Sequence, residues 1–581
     1  MRPDVADFYN GISFDAYLLL GAHPAGCGWR FTLFAPHARR VQAVGDWNGW
    51  DLYRPTELAF CEDGLWRGHA PAARAGQLYK YNILGPDGVW RLRADPFALG
   101  FEALPGTAGR LVRPAHTFGD DDWMAVRRTR AHADPHAPCN IYEVHAATWR
   151  RHWDGRYYTF AELGAVLLPY LQRGHYTHVE FMPLAEYPFD GSWGYQGCGY
   201  FAPSARFGGV DDFCALVDAL HQSGIGVLMD FVPVHFAPDA GRLACFDGAP
   251  LFEYPGDTAR SDWGSLNFNL TSAPVRSFLL SSAAFWLHFC HCDGLRVDAI
   301  GNALYRAGAG RDAAAFFMTL STGLHARCPG TLLIAEDTAG ALNATAPTHA
   351  GGLGFDAVWD GAWVLDTLGY FCAPPQARPA LFPRLCAHLR GGAGAVNALS
   401  HDENAWRTGT ILRRLWGDWP QKFDQMRLLT LYQYARPGKK LHFMGNEFGN
   451  ATAFDPYQEL DWGALAAPAP AALADFCAAL AWLYTAHPAL HDDAGDFWPV
   501  AQDGGTGVLA FVRGSGGESL LCVFCMGGGG VQGYGLCLPP VFTRAVCLFA
   551  AGCLDDTPHG IANGWLTLDL PAFGGGVYLL Q

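Results

Sequence analysis

Gly226-Val-Leu-Met-Asp-Phe-Val-Pro-Val-His235 begins as a short apolar run and turns ionisable at its end. The design recurs down the middle of the chain. Gly294-Leu-Arg-Val-Asp298 repeats it, and Leu332-Leu-Ile-Ala335 leads straight into Glu336 and Asp337. Further short runs are Ile141-Tyr-Glu-Val144, His178-Val-Glu-Phe181, Ala357-Val-Trp359, Ala395-Val-Asn-Ala398 and Lys440-Leu-His-Phe443. Helical patterns separate them. Thr159-Phe-Ala-Glu162 is a capping box, with Leu163, Val166, Leu167, Tyr170 and Leu171 on one face behind it. Phe213, Leu216, Val217 and Leu220 keep the same spacing. Eight strand-like runs alternating with helices predict an α/β fold, a (β/α)8 TIM barrel with insertions, with a doubly wound sheet as the alternative.

Outward from the barrel the pattern changes on both sides. Arg30-Phe-Thr-Leu-Phe34, Val41-Gln-Ala-Val44 and Leu78-Tyr-Lys-Tyr-Asn-Ile83 are short strands with turns and no helix between them. They predict an N-terminal β-sandwich over residues 1–117. After the barrel, placed at 118–470, a helical pattern carries Leu473, Phe476, Cys477, Leu480 and Leu483, followed by short strands with Gly-rich turns. Residues 471–581 therefore read as a helix plus a C-terminal β-sandwich domain.

Composition narrows the partners. Half of the 581 residues are hydrophobic and 16% are charged, which excludes a disordered chain. Forty Lys and Arg against 55 Asp and Glu, with no basic block, exclude the electrostatic footprint of a nucleic-acid binder. Met1 to Asn10 carries Asp4 and Asp7 and no apolar stretch, so it does not read as a signal peptide. The apolar stretch Phe476 to Ala486 is shorter than the ~20 residues of a membrane span, and no membrane partner is expected. Seventeen cysteines are too dilute for a disulfide scaffold, and Cys522 and Cys525 have no second pair at zinc-like spacing. Buried thiols in a reducing cytoplasm are the expectation. Twenty Trp suit core packing and apolar sugar faces alike.

In a barrel the C-terminal strand ends line the active site. Asp230, His235, Arg296, Asp298, Glu336, His401 and Asp402 all stand at or just beyond such ends. Two carboxyls in different environments suit glycoside chemistry, one attacking the anomeric carbon and the other protonating the leaving oxygen. Arg296 lies two residues before Asp298, so on a strand both point to one face and the guanidinium would keep Asp298 charged. Strand-end acids serving as caps or structural ion pairs are the plainer reading of each one alone.

The segments Asp230-Phe-Val-Pro-Val-His235, Gly294-Leu-Arg-Val-Asp298, Glu336 and Ser400-His-Asp402 resemble the four signature regions of the α-amylase superfamily, glycoside hydrolase family 13. Within it the chain is similar to the 1,4-α-glucan branching enzymes. That likeness rests on Tyr142-Glu-Val-His145, Phe189-Asp-Gly-Ser-Trp-Gly-Tyr-Gln196, Arg206-Phe-Gly208, Leu399-Ser-His-Asp-Glu403, Lys439-Lys-Leu-His-Phe-Met-Gly-Asn-Glu-Phe448 and Asp461-Trp462. Val44-Gly-Asp-Trp-Asn-Gly-Trp-Asp51 and Arg93-Ala-Asp-Pro-Phe97 resemble carbohydrate-binding module family 48. The resemblance implies Asp298 as nucleophile, Glu336 as general acid and base, and Asp402 as a ligand of the distorted sugar's hydroxyls. It implies that Arg296 orients Asp298, that His235 and His401 bond the same glucose unit, and that Tyr195 stacks beneath it. Asp230 is a substrate ligand or only a loop-shaping acid, and Trp193 is a glucan-facing ring or a core residue.

Two departures touch the expected groove. Relatives commonly continue Val-Val-His-Gly-Lys after the fourth region, where this chain has Asn404-Ala-Trp406, and the segment from Tyr305 to Asp312 is short. Val234 stands where many starch hydrolases carry a calcium-binding Asn, so neither a metal nor another cofactor is expected. The resemblance thus implies a monomeric enzyme that acts on α-1,4-glucan and builds α-1,6 branches. A glucan or maltooligosaccharide hydrolase and a non-catalytic glucan-binding protein are the alternatives.

Overall fold

Eight parallel strands close into a barrel in sequence order, which removes the doubly wound alternative. They are β1 (Asn140–Val144), β2 (His178–Phe181), β3 (Gly226–Phe231), β4 (Gly294–Val297), β5 (Leu332–Ala335), β6 (Ala357–Trp359), β7 (Ala395–Leu399) and β8 (Lys439–Phe443). Nearly every strand residue is buried, as expected when a parallel sheet is covered on both faces. That double burial is why the runs look continuous rather than alternating. Gly294 opens β4 because the next strand passes too close for a side chain: a Cβ there would lie 2.1 Å from the Leu332 carbonyl oxygen. The computed structural model describes residues 5–61, 64–129, 134–306, 308–337, 343–392, 394–405, 409–552 and 557–581. Trp406, one of the sequence departures, lies outside the described residues.

The chain folds as two compact units. The first comprises Met1–His132, His145–Val166 and Glu180–Asp356, the second Ala133–Val144, Leu167–Val179 and Ala357–Gln581. In the first, the antiparallel front sheet runs in the order Gly21–Pro24, Trp29–Phe34, Leu65–Ala70, Thr56–Phe60, Arg40–Gly45, Leu78–Leu84, Trp90–Arg93. It buries Trp29, Phe31, Tyr79 and Tyr81. Phe97 stacks on Phe201 with ring centroids 4.8 Å apart, and Arg93 Nε donates to the Phe246 carbonyl at 3.1 Å. Trp47 and Trp50 are half-buried at a turn, their indole N–H groups bonded to Thr56 and Asp46.

The second unit ends in a six-stranded sheet around Val508–Ser515 and Glu518–Cys525. Along Val508–Ser515 the side chains separate by face. Leu509 and Phe511 join a core that includes Tyr432 and Leu480, whereas Val508, Ala510 and Val512 join one that includes Leu566 and Leu568. Helix Pro468–Ala486 is 19 residues long and apolar enough to cross a membrane by length and composition. The helix thus extends beyond the apolar run Phe476–Ala486: it takes in the exposed Asp475, and Pro468 and Pro470 sit in its first turn, where their missing N–H groups cost nothing. Leu473, Cys477, Leu480 and Leu483 join the unit's core. None of the described cysteines forms a disulfide, but Cys27, Cys245 and Cys537 are exposed rather than buried.

Candidate active site

In the first unit, β3 and β4 pair so that Asp230 faces Arg296 across the ladder. The fully buried guanidinium of Arg296 gathers three carboxylates. Its Nη1 donates to both Asp230 oxygens at 2.9 Å and to Asp298 Oδ1 at 2.7 Å, and its Nη2 lies 3.2 Å from Glu336 Oε2. The sequence led to one ion pair; the structure places three acids on one cation. Burial, and then the charges of Glu336 and Asp230, push the Asp298 carboxyl up, while Arg296 pulls it down. The expectation that Arg296 keeps Asp298 charged thus meets a balance in which burial outweighs the guanidinium and the carboxyl is pushed well above its ordinary value.

Glu336 follows β5, and its backbone N–H donates to the Val297 carbonyl at 3.0 Å. Its Oε2 accepts the Ala299 backbone N–H at 2.7 Å. Ala299 holds φ +48°, a left-handed conformation that costs a non-glycine residue energy, immediately after Asp298. The strained turn aims that N–H at the carboxyl.

His235 is buried, with Nδ1 3.0 Å from Ser265 Oγ and Nε2 3.9 Å from Asp298 Oδ2. Burial, aided by the Arg306 charge, pushes it down to about 4, so it is neutral at pH 7. The Trp263 ring packs 4.9 Å from the imidazole. The Tyr195 hydroxyl donates to Asp230 Oδ2 at 2.6 Å, and its ring lies 5.7 Å from the Arg296 guanidinium carbon. Asp230 thus bonds both Tyr195 and Arg296. Trp193, two residues earlier, is half-buried with φ +58°.

The second unit carries His401 and Asp402 after β7. His401 Nδ1 lies 2.5 Å from Glu143 Oε1, and its backbone N–H donates to Glu143 Oε2 at 3.0 Å. Asp402 starts a 3-10 turn, is exposed, and has Oδ1 3.6 Å from His401 Nε2. Glu403 accepts from Ser400 Oγ at 2.8 Å, and burial followed by the Asp402 charge pushes it up to about 7. Glu447 accepts from the Tyr142 hydroxyl at 2.9 Å and from Tyr170, linking two of the sequence motifs.

Sequence reasoning missed Trp263, Ser265 and Glu143 as parts of this machinery. Trp263 and Ser265 lie in a loop about thirty residues beyond His235 with no periodic pattern, while Glu143 was visible only as one letter of a motif. Among the described residues no cluster of three or more His, Cys, Asp or Glu is arranged to hold a metal.

Residues 19–98 match the family model described as carbohydrate-binding module 48 (isoamylase N-terminal domain). The chain is 40% identical over 549 residues to a 1,4-alpha-glucan branching enzyme GlgB of Dechloromonas aromatica, covering 89% of this chain and 87% of that protein. It is 40% identical to the Pseudomonas aeruginosa protein of the same name, covering 90% and 74%. In fold it is similar to the structure of a pullulanase complexed with maltotetraose from Anoxybacillus sp. LM18-11, with a TM-score of 0.75 at 16% identity over 99% of this chain and 89% of that one.

Proposed function

This chain belongs to the 1,4-alpha-glucan branching enzyme family, and from that premise we propose how its residues divide the reaction. The enzyme cuts an α-1,4 bond of a linear glucan with retention and transfers the released chain to a 6-hydroxyl, making an α-1,6 branch. Asp298 attacks the anomeric carbon while the bond to the leaving O4 breaks and Glu336 gives that oxygen a proton. The acceptor's 6-oxygen then attacks the same carbon, its proton passes to Glu336, and the bond to Asp298 breaks. Two retaining carboxyls work about 5–5.5 Å apart.

The observation that carries this reading is the single buried guanidinium joining Asp298 and Glu336. Arg296 contacts both carboxyls, at 2.7 Å for Asp298 and 3.2 Å for Glu336, and so holds the two reacting acids against one cation. Neutral His235 offers a hydrogen bond to a sugar hydroxyl. In the same reading Asp402 and His401 bind the sugar's hydroxyls, Tyr195 stacks beneath the ring, and Trp193 faces the glucan. Asp230 serves through Tyr195 and Arg296.

The proposal extends to organisation: a glucan-binding module at 1–117, a catalytic barrel at 118–470 and a C-terminal β domain at 471–581, working as a cytoplasmic monomer. Support for the first comes from the module match at 19–98. Incubation with amylose followed by proton NMR linkage analysis tests the function. New α-1,6 signals with few new reducing ends are expected. Reducing ends without α-1,6 signals would establish a hydrolase instead.

A further inference from the structure

A cleft of about 370 Å³ opens beside the acid cluster, lined by the exposed rings of Trp263 and Tyr305 together with Asp262, Asn302 and Arg306. This is the size range of small-ligand sites. It is connected to the catalytic centre by short links. Trp263 packs on His235, which stands 3.9 Å from Asp298, and Arg306 Nη2 donates to Asn267 Oδ1 at 2.6 Å at the cleft wall.

The path of the backbone gives the cleft a direction. After Asp298, the N–H of Ala299 bonds the Glu336 carboxyl and the N–H of Ile300 bonds the Glu336 carbonyl at 3.2 Å. Only then does the chain reach Asn302 and Tyr305. The cleft-lining Gly301 and Asn302 thus directly follow the two residues whose N–H groups bond Glu336, and on the proposed reading what passes beside Glu336 is the leaving chain and, after it, the acceptor. Two flat rings suit the apolar faces of successive pyranose units, and the Asp262, Asn302 and Arg306 polar groups suit their hydroxyls.

Resting on the branching reading, we infer that this cleft is the acceptor-side glucan site, and that Trp263 determines how transfer competes with hydrolysis. A ring that holds the acceptor places its 6-hydroxyl at the glycosyl-enzyme and displaces water from it. The backbone of Trp263 is fixed for this: its N–H donates to Ser261 Oγ at 3.2 Å and its carbonyl accepts from Gln196 Nε2 at 3.3 Å.

The test compares the full-length enzyme with Trp263→Ala, Trp263→Phe and Tyr305→Ala on amylose, measuring α-1,6 linkages by proton NMR, reducing ends, and KM. Expected are a roughly tenfold fall in branches per reducing end for Trp263→Ala, about threefold for Tyr305→Ala, substantial recovery in Trp263→Phe, and a raised KM in both alanine variants. A fall of both products in equal proportion, or an unchanged ratio, in a wild type that branches would overturn this inference alone. Should the wild type release reducing ends without branches, the branching reading fails. The cleft then stands only as a leaving-chain site, if KM rises in both alanine variants, and falls with the reading if it does not. Tyr305 is an exposed side chain, so its variant reports even if the Trp263 changes disturb folding.

Discussion

Asp298 and Asp402 both stand just beyond barrel strands, yet the protein surrounds them in opposite ways. Asp298 is 7% exposed and bonded to a buried guanidinium, whereas 57% of the Asp402 side chain is open to solvent beside His401. A carboxylate stripped of water is a stronger nucleophile but an expensive charge, which explains the cation built next to it. A carboxylate left in water costs nothing to ionise and suits hydrogen bonding to hydroxyls. On the proposed reading, environment more than residue type separates the acid that attacks from the acid that grips.

The sharpest way to break this comparison is to remove each acid. Asp298→Ala is expected to lower kcat on amylose by on the order of 10⁴-fold or more, since on the proposed reading Asp298 forms the covalent intermediate. Asp402→Asn keeps the shape and loses the charge, so a loss of about 10- to 100-fold is expected. Equal losses in steady-state assays would erase the distinction drawn here.

Arg296→Lys tests the cation between those extremes. A lysine cannot reach Asp230, Asp298 and Glu336 at once, and an intermediate loss of about 100-fold in kcat is expected. With the same charge no longer spread over all three acids, the Asp298 carboxyl loses part of the contact that pulls it down and rises further, so the acid limb of the pH–rate profile moves to higher pH. A limb that stays in place while kcat falls would mean that Arg296 acts on shape alone.

Ser265→Ala removes the group bonded to His235 Nδ1, and a loss of about fivefold in kcat/KM is expected from one neutral hydrogen bond. The smallest effect concerns stability. Glu403 sits at about 7 in the folded protein against an ordinary value of 4.5, so the folded state holds the extra proton between them. Its unfavourable ionisation costs stability as pH rises from 4.5 through 7. Glu403→Gln does not titrate, and its Tm relative to wild type is expected to improve across that window in scanning calorimetry. His235 and His442, both pushed down to about 4, act in the other direction in both proteins: stability falls as pH drops from 6.5 toward 4.

The barrel and the acids could be read from sequence because both follow short-range rules. Buried parallel strands appear as continuous apolar runs, and strand-end residues share one face of the barrel. Arg296 and Asp298 are two residues apart, so their contact needs only a strand. The third acid on Arg296 was harder, since Asp230 meets it through register between β3 and β4. Trp263 and Ser265 were illegible because loop geometry alone brings them to His235.

Glu336 takes its close hydrogen bond from the main chain at Ala299, not from a side chain. Among single substitutions only proline deletes that donor, but any residue that resists the +48° torsion would turn it away. Position 299 therefore tolerates a narrow vocabulary: glycine, alanine or asparagine keep the Glu336 carboxyl in register, and valine or isoleucine would misdirect it without touching an acidic residue.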